Sequence, residues 1–299
     1  MRTLLPGLLF AALWASASAA TKFGVQVADP FILANTRFFI AGFGMLLFAY
    51  AVRRQKNTLP QGVEWLRLTV FALLNTTIYL GAYVLAMKEV SAGIGSLSVA
   101  TNPLFISLMS AVWLRRPLRW FEGVGLLLGL MGVAVATYPL LEDAHATVKG
   151  LLILLFSMVS VSAATVYYAR YEWRLPNLVI NGWQVFIGGL LLLPATLLTG
   201  DFSQTQYNAT FWGAVFWLIL PVSVGALQLW FYLVREDAVR ASLWLFLCPI
   251  FGFLYAFVLL DEPITGYTAA GTALVLSGLY LGQQEKFSRR KTPVPKPKN

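Results

Sequence analysis

Asn75, Tyr79 and Tyr83 stand four residues apart inside a long apolar run, so on a helix they form one polar stripe. Ser98, Thr101 and Asn102 cluster in the next run, just before Pro103, and Ser160 and Tyr167 share a later one. Trp14, Ser18, Gln228, Trp230 and Trp244 add further hydroxyl, amide and ring groups within hydrophobic sequence. Groups of this kind hydrogen-bond and stack on a solute. They do not make a nucleophile with its base, a pair of catalytic carboxylates or a metal-ligand set. H-E-x-x-H, G-x-S-x-G and Walker A patterns are absent, which leaves a membrane-embedded enzyme as a distant alternative. The single histidine, His145, follows Glu142 and Asp143 and reads as a solvated loop residue, and the single cysteine, Cys248, excludes an intrachain disulfide. The expected chemistry is recognition without reaction, with no cofactor and no metal.

The elements that must position these groups follow from composition. Of 299 residues 58% are hydrophobic and only 12% charged, with mean hydropathy +0.70. Soluble domains carry about 25% charged residues, so a soluble enzyme or binding module is excluded. Apolar stretches recur at 3 to 26, 30 to 52, 63 to 87, 92 to 114, 118 to 139, 148 to 170, 176 to 199, 209 to 234, 238 to 260 and 264 to 283. Each is long enough as a helix to cross a hydrocarbon core of about 30 Å. The expectation is an all-α polytopic membrane protein with ten transmembrane helices. Arg2 and the small residues Ala15 to Ala19 imitate a cleavable leader, but the apolar run continues toward Phe23 and Val25, so the first helix is read as retained.

Basic residues set the orientation. With the N-terminus in the cytoplasm, all of the 22 Lys and Arg except Lys22, Arg37, Lys88 and Lys149 fall on the inside. Both termini are then cytoplasmic, and the pI near 9.7 reflects topology and anionic lipid, not nucleic acid. The tail 285–299, with Pro293, Pro295 and Pro297 among lysines, reads as a basic solvated arm.

Sliding the chain against itself by 146 residues aligns Pro30 with Pro176, Asn35 with Asn181, Gly42 with Gly188, Ser96 with Ser242, Pro103 with Pro249, Pro117 with Pro263, Gly125 with Gly271 and Gly132 with Gly278. A shift of 144 aligns Ser16 and Ser18 with Ser160 and Ser162. The halves are therefore 1–145 and 146–284. Five helices is an odd number, so the second repeat enters the membrane inverted, an arrangement that places a site near the midplane and supplies two related conformations. Pro103 and Pro249 each remove a helical hydrogen bond at equivalent depth and are read as hinges. Under the same shift Ser98 meets Trp244, so polar groups of one half oppose apolar and aromatic groups of the other.

The five-plus-five pattern, the short connection Met87 to Ala92, the proline midway along the fourth helix and the ending Leu259, Leu260, Asp261, Glu262, Pro263 resemble the EamA-type members of the drug/metabolite transporter superfamily, and among them the bacterial YddG-type aromatic amino acid exporters. The resemblance implies a multi-pass transporter of the bacterial inner membrane, alternating access, and export of amino acids with aromatic or other apolar side chains. Substrate-binding candidates are Asn75, Tyr79, Tyr83, Ser98, Thr101, Ser160, Tyr167 and Trp244. No Asp or Glu lies mid-span, and Arg37 is the one charge well inside a span, which favours uncoupled facilitation. The alternative is multidrug or metabolite efflux by proton antiport using Glu64 or Glu122.

Overall fold

The computed structural model describes residues 4–52, 59–113, 120–142, 146–230, 232–233 and 244–288. His145, Arg2, the basic loop around Pro117, Arg235, Arg240, Ser242 and the tail beyond Ser288 lie outside the described residues. Among the described residues every regular element is helical and there is no strand. The helices are α1 (Leu4–Val27), α2 (Pro30–Val52), α3 (Val63–Glu89), α4 (Ala92–Val99), α5 (Asn102–Trp113), α6 (Trp120–Glu142), α7 (Val148–Arg170), α8 (Asn177–Thr199), α9 (Ala209–Trp230), α10 (Cys248–Leu260) and α11 (Gly266–Ser288). Among them α1, α2, α3, α7, α8 and α9 contain stretches long and apolar enough to cross a membrane.

Local chemistry starts several of these helices. The Asp29 carboxylate accepts from the Phe31 and Ile32 amides, and Pro30 follows where a missing N–H costs nothing. Ser91, Thr147 and Asn208 cap α4, α7 and α9 in the same way, each accepting from the amide three residues on. In an apolar solvent these caps matter more, because water cannot satisfy the free amides.

Close helix contacts are made by small residues. Where α6 crosses α11, a Cβ on Gly132 would sit 2.5 Å from the Gly271 carbonyl oxygen, and one on Gly278 would sit 2.5 Å from that of Gly125. Gly132 thus meets the counterpart of Gly125, and Gly125 meets the counterpart of Gly132. The α2 and α8 pair is similar, with Gly42 against the Phe186 backbone and Gly182 against Leu46.

Three helices depart from regular geometry. Hydrogen bonding widens to a π pattern over Phe48–Val52 at the end of α2, Leu73–Ile78 within α3 and Leu218–Ala226 within α9. The last two occupy equivalent positions under the 146-residue shift. The apolar stretch 92 to 114 is not one helix bent at its proline. Ala100 and Thr101 form a tight turn, their amides donating to Leu97 and Ser98 carbonyls at 3.1 and 3.0 Å, and α5 restarts at Asn102 with Pro103 in its first turn. Pro249 likewise stands in the first turn of α10, after a 3₁₀ turn at Trp244–Leu247. Each proline begins a new helical segment, the position where its fixed φ and absent N–H are tolerated.

Candidate functional site

A buried polar cluster lies where α1, α2, α3, α9 and α10 approach one another. The π segment of α3 ends at Tyr79, and regular helix then carries Tyr79 and Tyr83 one turn apart, both buried, with ring centroids 6.1 Å apart. The Tyr83 hydroxyl is 2.8 Å from that of Ser18 on α1. From α2, Arg37 comes within electrostatic range of both tyrosines, and its Nη2 donates to Ser223 Oγ at 3.0 Å. Ser223 in turn donates to the Leu218 carbonyl, 2.9 Å away, in the π segment of α9. Widened segments leave carbonyls without their usual intrahelical partner, so a nearby hydroxyl finds an acceptor there. The same device recurs in α3, where Ser160 donates to the Leu74 carbonyl at 2.8 Å.

A second polar chain runs from α3 to α8. Asn75 Nδ2 and Thr76 Oγ1 both donate to Gln184 Oε1, at 3.2 and 2.5 Å, and Gln184 Nε2 donates to Asn181 Oδ1 at 3.0 Å. Most of this network is used internally, and it locks the α3 and α8 contact.

Ser98 and Thr101 are buried at the α4 to α5 turn, where their hydroxyls donate to the Gly95 and Ser98 carbonyls at 2.7 and 2.6 Å. Their lone pairs stay available to a donor. Beside them, the buried Oδ1 of Asn102 has no hydrogen-bond partner among the described residues. Pro249 is buried, and the Cys248 carbonyl preceding it accepts from Ser96 Oγ at 2.7 Å, joining α10 to α4.

The remaining candidates stand apart. Tyr167 lies seven residues beyond Ser160, about 10 Å along α7, with its ring 5.0 Å from that of Tyr171. Tyr171 in turn lies beneath the Arg67 guanidinium at 4.5 Å. Trp244 packs on Gly7 of α1, in an aromatic group with Phe10 and Trp230. Trp14 touches both this group and the cluster holding Tyr79 and Tyr83. Gln228 is exposed.

One closure escaped sequence reasoning. The buried carboxylate of Glu262 accepts from the Ala92 amide at 2.7 Å and the Gly93 amide at 3.1 Å, so it caps α4 from across the chain. Lys22 Nζ donates to the Met87 and Val90 carbonyls at 3.1 and 2.6 Å, at the same corner. The visible signal was a Lys and a Glu at the borders of apolar runs, but nothing in their spacing joins residues 240 apart. At the start of α3, Arg174 makes a bidentate pair with Glu64 at 2.9 and 3.1 Å, and that bond holds the Arg174 guanidinium above its ordinary pKa.

Comparison with known proteins bears on what this arrangement serves. The EamA-like transporter family matches residues 1–138 and again 148–282. The chain is 27% identical over 270 residues to an uncharacterized transporter of Archaeoglobus fulgidus, covering 90% of this chain and 93% of that one. It is 27% identical to the protein PecM of Dickeya dadantii, with 94% and 93% covered, and 27% identical to the uncharacterized transporter YvbV of Bacillus subtilis, with 90% and 87% covered. A solved crystal structure superposes with a TM-score of 0.66 at 23% identity, covering 97% of this chain and 99% of that one, so the fold is shared.

Proposed function

Because the chain belongs to the EamA-like transporter family, we propose that it moves amino acids with aromatic or other apolar side chains across the bacterial inner membrane by alternating access. The observation that carries this reading is the cluster of Ser18, Arg37, Tyr79 and Tyr83, buried within otherwise apolar spans, with the half-buried Ser223 joining it from a fourth helix. Polar groups in such a place are costly unless they serve a solute pathway or one another. Tyrosine hydroxyls and rings together suit a molecule with a polar end and an apolar side chain. Ser98 and Thr101 extend the polar side, Asn75 and Ser160 border it at the α3 π segment, and Trp14 leads from it toward Trp244. Tyr167, against Tyr171 toward the end of α7, stands apart from this cluster.

The framework is read as ten transmembrane helices in two inverted repeats, with both termini cytoplasmic. Two separate family matches, the exchanged glycine contacts of α6 and α11, and π segments at equivalent positions support it. Pro103 and Pro249, each just after a break in the helix, act as paired hinges. Transport is read as facilitated export without proton coupling. The buried Glu262 already has both oxygens engaged by backbone amides. A guanidinium among the tyrosines repels a lipophilic cation, which counts against multidrug efflux.

Purified protein in liposomes tests the reading. L-phenylalanine counterflow is expected, with no response to an imposed pH gradient, and about tenfold slower flux in Tyr79→Ala and Trp244→Ala proteins. Unchanged rates in both variants, or faster exchange of a quaternary ammonium compound than of phenylalanine, would sink it. Pro103→Ala with Pro249→Ala is expected to lower the turnover rate while leaving half-saturation within about twofold.

A further inference from the structure

We infer that Arg37 is the anchor for a substrate carboxylate, so that the site selects monocarboxylates. The side chain is 8% exposed, and Arg37 is the eighth residue of α2, about 10 Å into the span. A guanidinium offers five N–H donors and keeps its charge. Among the described residues its hydrogen bond goes to a single neutral acceptor, Ser223 Oγ, and no carboxylate pairs with it. Its other electrostatic neighbours are Tyr79 and Tyr83, which are neutral phenols. Removing a cation from water costs several kcal/mol unless an anion or a set of good acceptors replaces the hydration. The fold supplies neither in full, and the missing partner is a planar acceptor that takes two parallel N–H bonds.

Charge matching narrows the anion. Lys22, the next cation along the chain toward this region, spends its ammonium on two backbone carbonyls and on the field of Glu262. One unpaired positive charge balances a monoanion, whereas a phosphate ester would bring about two negative charges. The apolar and aromatic residues beside Tyr79 and Tyr83, which include Trp14 and Leu80, then accept the rest of the molecule. This inference rests on the amino acid reading above but names which end of the solute is held.

The test uses full-length protein in liposomes exchanging L-phenylalanine, with two competitors that each lack one of its charges. 3-Phenylpropionate keeps the carboxylate and lacks the ammonium, and phenethylamine keeps the ammonium and lacks the carboxylate. 3-Phenylpropionate is expected to compete within about threefold of phenylalanine, and phenethylamine at least about tenfold more weakly. Arg37→Gln is expected to weaken both carboxylates at least tenfold and leave phenethylamine little changed, with Arg37→Lys between. Phenethylamine or phenyl phosphate competing as well as phenylalanine would overturn the inference, and the native protein alone decides this if Arg37→Gln does not fold. Exchange of 3-phenylpropionate with none of any amino acid would remove the amino acid reading and leave the carboxylate anchor standing. Exchange of phenylalanine that phenethylamine inhibits equally would do the reverse.

Discussion

The hydroxyls of Ser18 and Tyr83 lie 2.8 Å apart and buried, linking α1 to α3 within electrostatic range of the Arg37 guanidinium. Either can donate, so the pair can turn a proton or a lone pair toward a solute without moving its backbone. Losing one partner of a buried hydrogen bond costs on the order of 1 to 3 kcal/mol. Tyr83→Phe and Ser18→Ala are each expected to weaken substrate half-saturation about fivefold, and the double variant to be no worse than the poorer single one. Additive losses would mean that the two hydroxyls act separately.

Glycines at the α6 and α11 crossing carry a different expectation. At Gly132 and Gly278 any side chain meets the facing backbone, which cannot yield as a flexible side chain does. Gly132→Leu and Gly278→Leu are expected to lower stability in detergent by about 1 to 3 kcal/mol or to prevent folding, as overpacking does. Gly123, with open space where its Cβ would stand, is the control, and Gly123→Ala is expected to leave the melting temperature unchanged within error. Comparable losses at all three positions would refute the close crossing.

Glu262, just beyond the end of α10, caps α4, and Lys22 braces the same corner. Charge-assisted bonds of this kind contribute about 1.5 to 3 kcal/mol each to the state that contains them. Glu262→Ala is expected to shift the population away from this closed corner, so that a cysteine placed at the buried Ala92 is labelled faster by a membrane-impermeant maleimide added to that side. Glu262→Gln, which keeps one acceptor, is expected to fall between. Equal labelling in all three proteins would show that the cap does not gate.

Much of the framework was legible because lipid imposes a simple rule on sequence. Apolar stretches at 30 to 52, 148 to 170 and 176 to 199 became helices over almost the same residues, since Asp29, Thr147 and Pro176 mark their starts. The stretch 92 to 114 concealed a break, because a turn at Ala100 and Thr101 changes no composition. The π segments were equally silent, as Leu73–Ile78 differs from its neighbours in hydrogen bonding and not in residue type. Asn75, Tyr79 and Tyr83 were visible through their spacing of four. Arg37 was visible as a lone interior charge, but its place beside Tyr79 and Tyr83 depends on how α2 packs against α3. Ser223 and Glu262 were hidden for the same reason, being ordinary residues until distant helices give them partners.

Cys248 makes the molecule its own reporter. It is the single cysteine of the chain, fully buried at the first turn of α10 and within electrostatic range of Tyr79. A thiol reagent therefore has one address on the unaltered protein, and that address is shielded in the conformation described. The time course of native alkylation reads the lifetime of the shielded state directly, and a bound solute that favours that state is expected to slow the reaction without any engineered residue.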